Sequence, residues 1–136
     1  MLYKGEHVSP ELTKKLLDKY PTLYNQQHFW GFECGDGWYD IIDHLSNAIT
    51  TYTNPKSEFE VFNVVVSQVK EKFGGLRFYA DNTDRVVDGM IWMAECMSDH
   101  TCEICGNRGE IRKGSWLVTL CDKHQDERTM KLKGRG

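Results

Sequence analysis

The segment KEKFGGLRFY, residues 70–79, predicts the β-hairpin around which the fold is arranged. Strand-like sequence flanks Gly74 and Gly75, and glycines readily adopt the positive φ angles that a two-residue hairpin turn requires. With both glycines in the turn, the expected cross-strand pairs are Phe73–Leu76, Lys72–Arg77, Glu71–Phe78 and Lys70–Tyr79. Side-chain alternation then predicts an apolar face formed by Val69, Phe73, Leu76, Phe78 and Ala80. The opposite face is cationic and consists of Gln68, Lys70, Lys72, Arg77 and Tyr79.

Three amphipathic helices are expected around this hairpin, because apolar residues recur at helical spacing behind three N-terminal signals. These signals are Ser9–Pro10, Asp36 and Thr83–Asp84. The first helix should end at Pro21, the second should cover residues 37–52, and the third should extend to residue 99. A strand over residues 58–70 leads into the hairpin turn. The order of elements predicts an α+β fold, with the helices on one face of a small antiparallel sheet.

Two pairs of metal-binding residue types near the C-terminus indicate a zinc site. Cys102 and Cys105 belong to CEICG, and after 15 intervening residues Cys121 and His124 belong to LCDKH. Such pairs at this separation are typical of a structural, tetrahedral zinc site in which all four positions are protein ligands. The order knuckle, hairpin, helix predicts a treble-clef-like zinc module of residues 102–136, packed on an α+β body of residues 1–101.

The cationic face of the hairpin is a candidate ligand site. Lys72 opposite Arg77 destabilises a sheet by about 0.2–1 kcal/mol unless something neutralises the pair. A bound anion would do so, and these cations, Lys70, the ring of Tyr79 and the amides of the two turn glycines suit a phosphorylated, nucleotide-like ligand. The alternative is a solvated face whose cations are paired with the protein's own acids.

The segment WGFECGDGWYD, residues 30–40, is the second candidate for ligand binding. Trp30 and Tyr39 are suited to stacking on a base, and Glu33 and Asp36 to contacting hydroxyl or amino groups. The alternative is that the aromatic residues belong to the core and the acids favour a helix N-terminus. Glu33 and Asp36 are also the acids expected to neutralise the hairpin cations, if no ligand does.

Size and charge limit the function further. The 136 residues include 40% hydrophobic and 27% charged residues, which is typical of a globular protein, and neither a secretion signal nor a membrane span is evident. We therefore expect a cytoplasmic protein with no membrane partner. The net charge of −3 is unevenly distributed, because residues 1–101 carry 9 basic and 15 acidic residues and residues 102–136 carry 8 and 5.

The leading hypothesis is therefore a non-catalytic protein that binds a small anionic ligand, and two alternatives stay open. The basic zinc module would suit a nucleic-acid- or protein-binding adaptor, using Arg108, Arg112, Lys113, Trp116, Lys123 and Arg128. A small phosphodiesterase-like hydrolase would use Asp36, Asp40 and His44 as acids, base or metal ligands. The phosphate-binding P-loop, the nucleophile elbow and the GxGxxG motif do not occur, which favours binding over catalysis.

Trp92 is a large apolar residue on the polar side of the third predicted helix. Such a side chain indicates a contact surface. We expect the zinc module to cover it, with self-association into a homo-oligomer as the second possibility.

The segments WGFECGDGWYDII, KEKFGGLRFY and CEICG…LCDKH together resemble a family of small phage- and prophage-encoded zinc-binding proteins of unassigned function. The likeness covers residues 28–124. It implies a viral context and action in the host cytoplasm, and by analogy a factor that counters host defence, including by sequestering nucleotide immune signals. The family has no established activity, so the resemblance assigns no catalytic residues to this chain.

Overall fold

A computed structural model of the chain describes residues 7–25, 27, 29–54 and 63–134. In these residues the helices are α1 (Pro10–Lys19), a 3₁₀ helix (Asp36–Trp38), α2 (Tyr39–Tyr52), α3 (Arg85–Ser98) and α4 (Asp122–Gly134). The strands are β1 (Phe32–Glu33), β2 (Val65–Lys72), β3 (Gly75–Asp81), β4 (Glu110–Arg112) and β5 (Val118–Leu120). This mixture of helices and small sheets confirms the predicted α+β class.

The main sheet has the strand order β1-β2-β3 and is mixed rather than antiparallel. β2 and β3 form the antiparallel hairpin, whereas β1 runs parallel to β2. The expectation of a purely antiparallel sheet was therefore wrong for one strand pair, because α2 lies between β1 and β2 and a helical crossover returns the chain in the same direction. Of the strand predicted over 58–70, residues 58–62 lie outside the described part of the chain, and β2 begins at Val65.

The hairpin turn lies one residue earlier than the sequence predicted. Phe73 and Gly74 occupy the two turn positions, with φ angles of 54° and 84°, and Gly75 is already the first residue of β3. Phe73 is consequently exposed instead of joining the apolar face. The carboxylate of Glu71 stabilises this turn, because its Oε2 accepts a hydrogen bond of 2.9 Å from the backbone N–H of Gly74.

The shifted turn changes the cross-strand partners but not the faces of the hairpin. Lys70 instead of Lys72 lies opposite Arg77, and Gln68 instead of Lys70 lies opposite Tyr79. The cross-strand partner of each residue therefore changes by two positions. Because side chains alternate between the two faces with a period of two, such a change keeps every side chain on its face. The cationic face therefore keeps the residues that the sequence predicted for it.

Local signals correctly located the starts of two helices. Ser9 Oγ accepts a hydrogen bond of 3.4 Å from the N–H of Leu12 at the start of α1, and Asp84 Oδ1 accepts one of 2.9 Å from Val87 at the start of α3. Both are N-caps, which satisfy N–H groups that lack a partner within the helix.

Asp36, in contrast, does not cap the second helix. It begins the 3₁₀ helix that precedes α2, and its Oδ1 accepts a hydrogen bond of 2.7 Å from the backbone N–H of Ser9. Asp36 therefore connects the start of α1 to the segment between β1 and α2.

Helices α1, α2 and α3 pack in one core with the apolar face of the main sheet. The buried sheet residues are Phe32, Val66, Val69, Leu76 and Phe78. Side chains of α3 also cover the free edge of β3, where Ser98 Oγ accepts a hydrogen bond from the N–H of Leu76 at 2.9 Å and Glu95 Oε2 accepts one from Phe78 at 3.0 Å. Because these two side chains accept the hydrogen bonds of the edge N–H groups, the edge of β3 is protected from pairing with another strand.

Candidate metal centre and basic sheet face

The four residues predicted to bind metal lie together. The ligand atoms of Cys102, Cys105, Cys121 and His124 are all within 4.8 Å of one another. The Sγ atoms of Cys105 and Cys121 are 3.8 Å apart, and His124 Nδ1 lies 3.6 Å from Cys102 Sγ and 3.2 Å from Cys121 Sγ. A tetrahedral site with metal–sulfur bonds of about 2.3 Å separates two sulfur ligands by about 3.8 Å. The arrangement therefore fits one tetrahedrally bound metal ion.

Short-range structure holds these ligands in place. Gly106, with a φ angle of 81°, closes the knuckle by donating its backbone N–H to the carbonyl oxygen of Cys102 at 2.9 Å. Cys121 directly precedes α4, and His124 lies in the first turn of that helix. Burial would raise the pKa of the Cys121 thiol, but hydrogen bonds from the backbone and ring of His124 outweigh it and bring the pKa to about 7. A low pKa favours the thiolate, which is the metal-binding form.

The metal-binding knuckle packs against the segment that carries Gly35 and Gly37. The N–H of Gly35 donates to Glu103 Oε2 at 2.9 Å, and the N–H of Gly37 donates to the backbone oxygen of Glu103 at 2.7 Å. A Cβ atom added to Gly37 would lie 2.1 Å from the carbonyl oxygen of Cys102, and one added to Gly35 would lie 2.3 Å from that of Glu103. Only glycine permits this backbone approach.

The hairpin turn of the main sheet forms a second contact with residues 102–134, which we call the metal module. Thr119 Oγ1 in β5 donates a hydrogen bond of 2.6 Å to the carbonyl oxygen of Gly74, and both residues are buried. A Cβ atom added to Gly74 would lie 3.4 Å from the backbone of Leu117 and Val118. Sequence reasoning missed Glu103 and Thr119, because neither has a signal in its own neighbourhood. The one available signal was the pair Gly35 and Gly37, because two glycines in a segment without a tight turn indicate a close approach of another backbone.

Four residues predicted to bind the ligand belong to other parts of the structure. Gly74 donates its N–H to Glu71 in the turn beside the metal module, and Gly75 pairs with Lys72 as the first residue of β3. Asp36 binds the N–H of Ser9, and Tyr39 packs against the core at the start of α2.

Five of the other predicted residues, all of them in the strands, lie on the face of the main sheet opposite the helices, which we call the basic sheet face. Strand pairing aligns Glu33, Lys70 and Arg77 in one row across β1, β2 and β3. All three side chains are half-buried. Within the described part of the chain, Lys70 and Arg77 have no carboxylate at ion-pair distance. Lys72 lies on the same face, with its Nζ 5.6 Å from the centroid of the Phe73 ring.

Tyr79 extends the basic sheet face toward an open groove. Tyr79 is 42% exposed and lies opposite Gln68. The groove, of about 540 Å³, runs between β3 and α3 and is lined by Ser67, Gln68, Phe78, Tyr79, Ala80, Asp81, Asp88 and Ile91. Trp30, which precedes β1, is 78% exposed.

Two basic residues assigned to the adaptor alternative have structural contacts instead. Arg112 forms ion pairs with Glu110 at 3.1 Å and Asp122 at 2.8 Å. Arg128 is 2% exposed, donates to the carbonyl oxygen of Trp116 at 3.0 Å and lies over the Trp116 ring. Arg108, Lys113 and Lys123 are exposed.

The three residues assigned to the hydrolase alternative have different surroundings. Asp36 is engaged with Ser9, Asp40 is exposed in the first turn of α2, and His44 lines a groove between α2 and α3.

None of the helices in the described residues combines the length and apolar character that crossing a lipid bilayer requires. Compared with protein-family models, curated proteins and solved structures, the chain matches none of them.

Proposed function

We propose that the protein is a non-catalytic binder of a small anionic, nucleotide-like ligand, which it holds on the basic sheet face. The sequence resemblance to phage-encoded proteins supports the further proposal that it acts in the cytoplasm of an infected cell and sequesters a nucleotide signal of host defence. The proposed contacts are Lys70, Lys72 and Arg77 for phosphate, Tyr79 and Trp30 for the base, and Glu33 for a donor group of the ligand.

The observation that carries the proposal is the direct cross-strand pair of Lys70 and Arg77. Like charges in this position destabilise a sheet by about 0.2–1 kcal/mol. Both residues are half-buried, and neither has an acid at ion-pair distance in the described residues. A phosphate group between them would remove the repulsion and accept charge-assisted hydrogen bonds from both.

The surroundings of this pair favour a nucleotide over inorganic phosphate. The exposed ring of Tyr79 offers a stacking surface on the same face. Asp81 and Asp88, which line the adjacent groove, are suited to accept hydrogen bonds from ribose hydroxyl groups or a base amine. A nucleotide is anionic at one end and rich in hydrogen-bond donors at the other. It therefore matches a surface on which cations, the Tyr79 ring and two carboxylates follow one another.

We also propose that the metal is Zn²⁺, held in a treble-clef-like module with a structural role. Three thiolates and one imidazole are a donor set typical of zinc, and four protein ligands leave no position for a catalytic water. The module has a small buried core of Cys102, Val118, Leu120 and Cys121, two of which are metal ligands. Bound zinc would stabilise a unit of this size where a hydrophobic core does not suffice.

Native mass spectrometry of protein purified from cells, followed by nucleotide titration, tests the binding proposal. We expect a nucleotide to co-purify or to raise the unfolding temperature. Arg77→Ala and Lys70→Ala should each weaken binding at least about tenfold, since a hydrogen bond to a charged group contributes about 1.5–3 kcal/mol. Lys133→Ala, an exposed cation on α4, is the matched control. Ligand-free protein whose unfolding temperature no nucleotide changes would contradict the proposal.

A further inference from the structure

One side of α3 is apolar and uncovered. Its large side chains are Val86, Trp92, Met93 and Met97, which are 47%, 71%, 64% and 50% exposed. Gly89 and Cys96 are exposed between them. At 3.6 residues per turn these six residues lie within an arc of about 140° on the helix, which we call the α3 face. The metal module does not cover Trp92, so that expectation from the sequence was wrong.

Gly89 in this face has no role in the packing of its own chain. A Cβ atom added there would meet no atom within 4 Å. Glycine in a helix interior lowers helix stability, and no close contact within the chain offsets that loss here. Gly89 borders a groove of about 390 Å³ between α2 and α3, which is lined by Ile41, His44, Leu45, Ala48, Gly89, Met90, Met93, Ala94 and Met97.

We propose that the α3 face is a dimer interface, occupied by the same face of a second copy of the chain. A two-fold interface uses one patch twice, so the patch must contain both a recess and the group that fills it. The α3 face has a recess where Gly89 borders the groove, and projecting side chains at Trp92 and Met93. Large apolar groups that enter a small-residue recess are the usual centre of a protein interface.

The charges at the two ends of α3 define the orientation. Arg85, at the first position of α3, is the single charged residue within the arc, and Asp99 is the C-cap. Neither forms an ion pair within 4.0 Å in the described residues; the nearest cation shown for Asp99 is Arg77, since Asp99 Oδ1 and Arg77 Nη1 would each lie 3.0 Å from a Cβ atom on Gly75. A cation is unfavourable at a helix N-terminus and favourable at a C-terminus, and the last turn of α3 has no basic residue. Antiparallel packing of two α3 helices brings Arg85 of each copy to Asp99 and the helix C-terminus of the other.

Molar mass measured by light scattering over a concentration series tests this inference. The wild type should be a dimer that dissociates on dilution. Gly89→Leu places a bulky side chain in the interface, and its Cβ atom meets no atom of its own chain within 4 Å. The substitution should therefore raise the dimer dissociation constant at least about tenfold, as for the loss of an interface hot spot, while its circular dichroism stays unchanged. Gly134→Leu is the matched control, because a Cβ atom there also meets no atom within 4 Å.

Charge reversal tests the orientation. Arg85→Glu should weaken the dimer, and the double variant Arg85→Glu/Asp99→Arg should restore it. A wild type that is monomeric at every concentration would overturn the proposal and assign the α3 face to a different protein. A dimer that Gly89→Leu leaves intact would also overturn it, since the interface would then lie elsewhere. These results do not depend on ligand binding at the basic sheet face.

Discussion

The backbone N–H of Gly37 donates a hydrogen bond of 2.7 Å to the backbone oxygen of Glu103, inside the metal-binding knuckle. Gly35 adds a bond to the carboxylate of the same residue, and Trp38 Nε1 donates to the carbonyl oxygen of Thr101 at 2.8 Å. Folding of the metal module is therefore coupled to the segment between β1 and α2. The segment was predicted to bind a ligand, but its two glycines provide space for the backbone of the metal-binding residues.

Gly37→Ala should destabilise the protein and weaken metal retention. The new Cβ atom would lie 2.1 Å from the oxygen of Cys102, which is part of the backbone and cannot rotate away. We expect a loss of about 1–3 kcal/mol or more in the free energy of unfolding, as for overpacked cores. Urea unfolding together with metal analysis measures both effects. Gly134→Ala, where an added Cβ atom also meets no atom within 4 Å, should show neither, and equal losses in the two variants would exclude this explanation.

Thr119→Val should loosen the contact between the metal module and the hairpin turn. The substitution keeps the shape of the side chain but removes the hydroxyl donor, which leaves the buried carbonyl oxygen of Gly74 without its partner. A buried group without its partner costs about 1–3 kcal/mol. Hydrogen exchange should become faster in residues 73–76, and Thr119→Ser should restore the protection. Unchanged exchange would show that the hydrogen bond contributes little.

Removal of the metal should unfold the module of residues 102–134. Binding contributes on the order of 10 kcal/mol in small structural zinc modules, far more than the module's four buried core residues can supply. Chelation or Cys102→Ser should reduce the metal content and accelerate hydrogen exchange at Gly35 and Gly37 as well. Cys96→Ser, a cysteine outside the cluster, serves as the control. An unfolding temperature that is the same with and without chelator would contradict a structural role.

Arg77→Gln should stabilise the protein slightly while it weakens ligand binding. It removes one of two like charges that face each other across β2 and β3, so the gain is about 0.2–1 kcal/mol at low salt. Salt screens the repulsion, so the difference from wild type should shrink as ionic strength rises. Thermal unfolding at two salt concentrations measures this. A destabilised Arg77→Gln would indicate that the guanidinium has a structural function, such as its hydrogen bond to the carbonyl oxygen of Leu76.

The sequence by itself determined the features that depend on a few neighbouring residues. The caps Ser9 and Asp84 located two helices, the spacing of four ligands located the metal centre, and alternation assigned Lys70 and Arg77 to one face. Each of these follows from local backbone geometry, which residue type and spacing encode directly.

Only the tertiary structure decided the rest. The parallel pairing of β1, the contact of Thr119 with the turn at Gly74, and the function of Gly35 as a contact for Glu103 all depend on residues far apart in the chain. Gly35 and Glu103 are 68 positions apart, and no periodicity within either segment indicates the other. Such contacts form because packing brings complementary backbone groups together and their hydrogen bonds must be satisfied, a condition that belongs to the folded chain as a whole.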